Sequence, residues 1–299
     1  MEKVGFIGLG IMGKPMVTNL YKAGVEVLVN DINESIAKEL EKASNGLVKL
    51  TDKETIGASC KIVMCILPTA DIVDNVLFGE GGVAKKMAAG SLFTDFSSET
   101  AGQSKDHAEK LAKLGVRFID APVSGGEPGA INGTLSIMAG GSEKDFDDMK
   151  PYFDIMGGSA VLIGPTGSGS VTKLVNQAIV NLNIATVGEA FTFAAKAGVD
   201  PQKVFDAIKG GLAGSRVLTD KIPKILNRDF KAGGTIKVNS KDIKNVLDTA
   251  HQIDVPMPLT AILYEIQQSC KVAGGIMDDH CGYVKFFERL AGVEVKKVD

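Results

Sequence analysis

The segment Gly8-Leu9-Gly10-Ile11-Met12-Gly13 limits what this chain can fold into more than any other. It follows an apolar, strand-like run at residues 4–9 and opens a helical pattern at residues 14–23. G-x-G-x-x-G between a strand and a helix is built for a pyrophosphate. The first glycine permits the tight turn, the second lets the phosphates approach the backbone, and the third lets helix and strand pack closely. The helix start then offers free N–H groups and positive potential to the anion. Asp31 lies at the end of the next apolar run, roughly twenty residues on, where a carboxylate can accept ribose hydroxyls. The pair implies a bound dinucleotide. A carboxylate there repels the extra phosphate of NADP, and Ile32 follows it rather than a compensating arginine. NAD is therefore expected over NADP.

Apolar runs at residues 25–30, 61–67, 91–96, 116–120, 135–139 and 160–163 continue the strand pattern. Helical periodicity falls between them at residues 34–42, 103–114 and 143–155. Near-continuous apolar strands alternating with helices predict a mostly parallel sheet covered on both faces. After the Gly/Ser segment at residues 164–169 the pattern changes. A long proline-free run with few breakers at residues 170–197 is followed by helical stretches near 202–209, 217–226, 240–252, 259–273 and 279–290. The expected architecture is α/β, a doubly wound Rossmann-type sheet over residues 1–163. An all-helical second domain over residues 164–299 follows, beginning with a long helix. Ligands bind beyond the carboxyl ends of such strands, so Leu67 and Pro68, and Ser98, are expected to flank the cofactor. Ser98 would equally serve as a helix cap.

A net charge of -3 with no run of basic residues argues against a nucleic-acid partner. Four cysteines include no C-x-x-C pair, and the three histidines form no H-E-x-x-H, so no metal is expected. Cys65, in an apolar run, reads as a reduced buried thiol. No stretch of about 18 uninterrupted apolar residues suggests a membrane span, and nothing resembles a secretory leader. Cytoplasm is the expected address.

Two further segments carry chemistry. Ser124-Gly125-Gly126 follows a strand end, where successive N–H groups and the Ser124 hydroxyl can cup a carboxylate. A glycine turn without a ligand would look the same. Lys173, Asn176 and Gln177 stand at i, i+3 and i+4 of the long helix and share one face. Reducing an aldehyde needs a proton on oxygen as hydride reaches carbon. Lys173 is suited to give it, and the positive helix start eases its release. A nucleotide-binding sensor would have no use for such a donor. An S-adenosylmethionine enzyme would not need the helical second half.

These motifs together resemble the β-hydroxyacid dehydrogenase family over essentially the whole chain. The matching segments are residues 5–13, 120–126, Gly133-Thr134-Leu135, residues 167–176 and Lys241-Asp242. The resemblance implies hydride transfer between a nicotinamide cofactor and a small hydroxy acid or its semialdehyde. By it, Lys173 is catalytic, and Ser124, Gly125, Gly126, Asn176, Gln177 and Lys241 bind a carboxylate substrate. Gly8, Gly10, Ile11, Met12, Gly13, Asp31, Leu67, Pro68, Ser98 and Lys241 contact the cofactor. The family also implies a homo-oligomer, dimer or tetramer.

Overall fold

A computed structural model describes residues 2–298. The chain divides into two compact units, residues 1–173 and 174–299.

The first unit begins β1 (Val4–Ile7), α1 (Gly13–Lys22), β2 (Val27–Asn30), α2 (Glu34–Ala43), β3 (Val48–Leu50) and α3 (Lys53–Ser59). It continues with β4 (Ile62–Cys65), α4 (Ala70–Phe78), β5 (Leu92–Asp95), α5 (Ala101–Ala112) and β6 (Arg117–Asp120). Then come β7 (Val123–Ser124), α6 (Gly126–Asn132), β8 (Leu135–Gly140), α7 (Glu143–Met156), β9 (Gly157–Gly164) and the start of α8 (Ser168–Lys196). The strands form one sheet in the order β3-β2-β1-β4-β5-β6-β8-β7, with β9 also on β8. Pairing is parallel from β3 to β6 and antiparallel from β6 to β8 and from β7 to β8. The strand order reverses between β1 and β4, and the crevice above that point is where such sheets take ligands. Apolar clusters cover both faces, one around Phe6, Leu20 and Phe153 and the other around Ile56, Leu77 and Phe93.

The parallel sheet and its crossover helices match expectation, while several short elements were not foreseen. β3 is three residues long with Lys49 exposed at its centre, so it has no apolar run to betray it. The sequence of α6 contains Pro128 and Gly129, poor helix formers that read as a turn. α5 starts at Ala101, not Gln103, and its cap is Thr100 rather than Ser98. Thr100 and Gln103 form a reciprocal capping box that satisfies two backbone donors.

The second unit is helical. Beyond the rest of α8 it comprises α9 (Pro201–Ile208), α10 (Arg216–Leu226), α11 (Ile236–Gln252), α12 (Pro258–Val272) and α13 (Val284–Ala291). Asp200, Ser215 and Thr235 cap α9, α10 and α11, so α11 begins one turn earlier than periodicity suggests. Two apolar clusters hold the helices, around Phe191, Ile222 and Val284, and around Ile184, Ile243 and Leu263. By length and composition α8 is apolar enough to cross a membrane, and half of its most apolar window is buried inside the protein. Lys173, Asn176 and Gln177 interrupt that apolar character near its start.

Candidate active site

The crevice above β1 is shaped by the three glycines. Gly8 takes φ +96, and a methyl group on it would run into the Ile66 carbonyl oxygen. On Gly13 a methyl would overlap the Gly8 carbonyl oxygen, so that glycine sets the approach of α1 to β1. Gly10 differs: a side chain there would point into open space. That space belongs to a cavity of about 590 Å³ lined by Leu9, Gly10, Ile11, Lys14 and Ile36 among others. A side chain would fill the position where a pyrophosphate would lie against the backbone, so the residues present fit a dinucleotide. Ile11 is exposed on this wall and Met12 is half-buried.

Asp31 follows β2 directly. Its Oδ2 accepts the Leu9 N–H at 2.5 Å and its Oδ1 the Asn33 N–H at 2.7 Å, which pins the carboxylate at the mouth of the glycine turn. Each oxygen keeps a lone pair for a ribose hydroxyl. At the ends of β4 and β5 the turns bearing Leu67-Pro68 and Ser98 are tied together by a residue the sequence reading passed over. The Ser97 hydroxyl accepts the Leu67 N–H at 2.9 Å, and the Ser97 N–H donates to Asp95 Oδ1 at 2.7 Å.

Beyond β6 the chain brings Lys173 to the Ser124 turn. Lys173 Nζ donates to the Val123 carbonyl oxygen at 2.8 Å, placing the ammonium one residue from Ser124. Gly125 and Gly126 take φ +136 and +61, a turn that other residues enter only with strain. Asp120, buried at the end of β6, fixes this arrangement. Its Oδ1 accepts the Gly167 N–H at 2.7 Å and its Oδ2 the Ser170 N–H at 2.8 Å. One carboxylate thus anchors the start of α8 beside the strand that leads into Val123. Burial pushes the Asp120 carboxyl up, and the two N–H groups offset that rise only in part.

In the second unit Asn176, Gln177 and Lys241 form one chain of polar contacts. Asn176 Nδ2 donates to Gln177 Oε1 at 3.0 Å, Gln177 Nε2 to Asp242 Oδ2 at 2.6 Å, and Lys241 Nζ lies 3.1 Å from Asp242 Oδ1. Gln177 is buried and its amide is occupied at both ends. Its role in the structure is to hold Asn176 and Asp242 rather than to present a free face. A second buried chain lies deeper, with Gln267 Nε2 donating to Tyr283 Oη at 2.7 Å and Tyr283 Oη to Asn181 Oδ1 at 2.9 Å.

Comparison with known proteins agrees with this geometry. Residues 3–164 match the family described as the NAD binding domain of 6-phosphogluconate dehydrogenase. Residues 167–287 match the family described as NAD-binding of NADP-dependent 3-hydroxyisobutyrate dehydrogenase. The chain is 40% identical to the 2-hydroxy-3-oxopropionate reductase of Escherichia coli strain K12, over 97% of this chain and 98% of that one. The chain belongs to the 3-hydroxyisobutyrate dehydrogenase-like β-hydroxyacid dehydrogenases. The 2-(hydroxymethyl)glutarate dehydrogenase of Eubacterium barkeri is 34% identical over 98% of this chain and 97% of its own. A crystal structure of 3-hydroxyisobutyrate dehydrogenase from Salmonella typhimurium superposes with a TM-score of 0.87 at 27% identity, covering 96% of this chain and all of that one. The protein is thus an NAD(P)-dependent hydroxyacid dehydrogenase.

This dehydrogenase also holds a buried acid–base cluster that sequence reading missed. Asp95, Glu99 and His107 each bring one potential ligand atom within 4.8 Å of the others. All three are buried, as is Cys65, whose Sγ donates to Asp95 Oδ1 at 3.2 Å. Burial, then the Glu99 charge, pushes the Asp95 carboxyl up to about 7. Burial alone would drag His107 down, but the Glu99 carboxylate, 3.4 Å from its Nδ1, holds it above its usual value. Between roughly pH 4 and 7 the folded chain keeps a proton on Asp95 that the unfolded chain has released, so this group costs stability as pH rises through that window. Asp95→Asn removes the cost while keeping an acceptor for Ser97. Its Tm relative to the parent protein is therefore expected to improve from pH 5 to about pH 7 and to level off above it. Buried His280, lowered to about 4, titrates with the opposite sign but is common to both proteins. A Tm difference that stays constant across the range would show that Asp95 ionises as an ordinary carboxylic acid.

Proposed function

We propose that this dehydrogenase uses NADH to reduce tartronate semialdehyde (2-hydroxy-3-oxopropionate) to glycerate. The observation that carries the reading is the Lys173 ammonium lying one residue from the Ser124-Gly125-Gly126 turn. The turn binds the substrate carboxylate through backbone N–H groups and the Ser124 hydroxyl. Asn176, one helical turn beyond Lys173 on α8, steadies the substrate hydroxyl. Bound nicotinamide dinucleotide supplies the hydride to the aldehyde carbon. Lys173 passes a proton to the carbonyl oxygen as negative charge grows there, and in the reverse direction it takes that proton away. By the family resemblance Lys241 is a further contact for substrate and cofactor.

The choice of acid rests on the 40% identity to the E. coli reductase and on three shared-looking stretches, residues 124–128, 173–177 and 210–215. A longer or branched acid is the second reading, favoured by the 34% identity to 2-(hydroxymethyl)glutarate dehydrogenase. Steady-state NADH consumption with a panel of semialdehydes decides between them. The highest kcat/KM is expected for tartronate semialdehyde. A higher value for the aldehyde of 3-hydroxyisobutyrate or of 2-(hydroxymethyl)glutarate would transfer the assignment to that acid.

NAD is the cofactor this reading takes, with NADP disfavoured. Asp31 puts a negative charge where the extra phosphate would sit, and the residue after it is the exposed Ile32. Two cations of the neighbouring helices are engaged, Lys14 by Glu39 and Lys38 by Glu34, both at 2.8 Å. Repulsion of this kind is expected to favour NADH over NADPH by roughly tenfold or more in kcat/KM, about 1.4 kcal/mol. Equal use of both cofactors would refute it.

The same reading has the chain acting in the cytoplasm as a homo-oligomer, dimer or tetramer, with no nucleic-acid or membrane partner. The net charge of -3 and the exposed apolar side chains Phe193, Ile262 and Val272 support it. A monomer in sedimentation analysis would remove the oligomer from it.

A further inference from the structure

A continuous line of buried polar contacts runs from Glu99 to the first turn of α8. Glu99 Oε1 accepts from the Ser104 hydroxyl at 2.8 Å, and Ser104 Oγ lies 2.8 Å from Ser170 Oγ. The Ser170 N–H donates in turn to Asp120 Oδ2. Glu99, Ser104 and Ser170 are all buried, Ser104 and Ser170 completely. Glu99 accepts the Ser104 hydroxyl proton, which leaves Ser104 Oγ open to Ser170, whose hydroxyl also meets the Asp120 carboxylate. Without that acceptor the line has another setting within reach, because Ser104 Oγ also lies 3.3 Å from the Thr100 carbonyl oxygen.

A buried carboxylate is costly unless it is paired and hydrogen-bonded. Here His107 Nδ1, 3.4 Å from Glu99 Oε1, supplies the countercharge. The other ionisable groups facing this pair are Asp95 of β5, with Cys65 of β4 on its Oδ1, and Asp74 of α4. Asp74 is itself neutralised by Lys110 at 2.7 Å. The line meets α8 at Ser170, three residues before Lys173 on the same helix. A second branch runs from Asp95 through Ser97 to the Leu67 N–H.

We propose that Glu99, held by His107, is a positioning residue for Lys173: through Ser104 and Ser170 it fixes the first turn of α8 and so sets where the lysine's ammonium stands beside the Ser124 turn. This rests on the reading of Lys173 as proton donor. It adds a control on that donor from residues that meet neither substrate nor cofactor. Misplacing a reacting group by about an ångström costs up to roughly a hundredfold in rate, so a small shift of α8 is enough to be measured.

The test is steady-state kinetics of the full-length enzyme with NADH and its best semialdehyde, on Ser104→Ala, Ser170→Ala, their double variant and the near-isosteric Glu99→Gln. Each single variant is expected to lose roughly ten- to a hundredfold in kcat with KM for NADH unchanged. The double variant is expected to lose no more than the worse single, because both remove one contact. In a Lys173→Ala background, Ser104→Ala is expected to add no further loss. Should Ser104→Ala fold poorly, Glu99→Gln carries the same test with the hydroxyls intact. A kcat within twofold of the parent in folded variants, even with a lowered Tm, would make the line merely structural and overturn the proposal. So would an undiminished Ser104→Ala effect once Lys173 is gone. Normal turnover by Lys173→Ala alone would sink the proton-donor reading instead, and be recognised as such. Dialysis against a chelator is expected to change nothing; a loss restored by zinc would assign Asp95, Glu99 and His107 to a metal and overturn the relay.

Discussion

Lys173→Ala is expected to retain NADH binding and lose roughly a hundred- to ten-thousandfold in kcat, the usual contribution of a positioned general acid. Lys173 meets the Val123 carbonyl oxygen at 2.8 Å, one residue from Ser124, while the glycine turn and Asp31, proposed to hold the dinucleotide, lie on other elements. Removal of the ammonium therefore leaves the cofactor's contacts in place. Lys173→Arg sharpens the result. A guanidinium keeps the charge but does not give up its proton at any working pH, so it cannot replace the lysine in proton transfer. Loss in both variants means that the proton matters; recovery in Lys173→Arg means that charge alone does. Fluorescence titration of NADH gives the binding half of the experiment. If Lys173→Ala turned over within a few-fold of the parent protein, another group would have to deliver the proton.

How far the sequence carries the reader depends on the range of the contacts involved. The crevice was legible because its signals are local: a strand, three glycines in six residues, a helix and a carboxylate at the end of the next strand. The short elements were not. β3 exists because β2 pairs with it, and α6 begins where the Gly125-Gly126 turn aims the chain, in spite of Pro128 and Gly129. Gln177 looked like part of an open polar face on helical spacing alone. Its burial depends on Asp242, 65 residues away, which no spacing rule can find. Asp120 was visible only as the first residue of a motif, because its two partners lie 47 and 50 residues further on. The Glu99–Ser104–Ser170 line likewise spans 66 residues at its longest step. Motifs therefore pointed to the candidate ligand-binding groups, whereas the groups that hold them in place came from folding.

Asp120→Ala puts that division to its hardest test, because one side chain organises two motifs at once. Its carboxylate takes the Gly167 and Ser170 N–H groups in a turn where nothing else fits easily. A methyl group on Gly140 would crowd Asp120 Oδ1, and one on Gly169 would overlap the Met138 carbonyl oxygen. Deleting the carboxylate leaves two buried N–H donors without an acceptor. Hydrogen bonds to a charged group are worth about 1.5–3 kcal/mol each, so roughly 3–6 kcal/mol is at stake. For a chain of this size that is a fall of about 10 °C in Tm. The loss reaches function as well, because the first turn of α8 and the strand end before Val123 then lose their common anchor. In protein kept well below its Tm, kcat is expected to drop at least roughly tenfold while NADH affinity holds, since the glycine turn is untouched. Asp120→Asn should fall between, as its amide oxygen serves one N–H and its NH₂ opposes the other. Calorimetry and steady-state kinetics on the same samples read both effects. A Tm within about 2 °C of the parent would mean that water satisfies those donors, and that the start of α8 is held by its own packing rather than by this carboxylate.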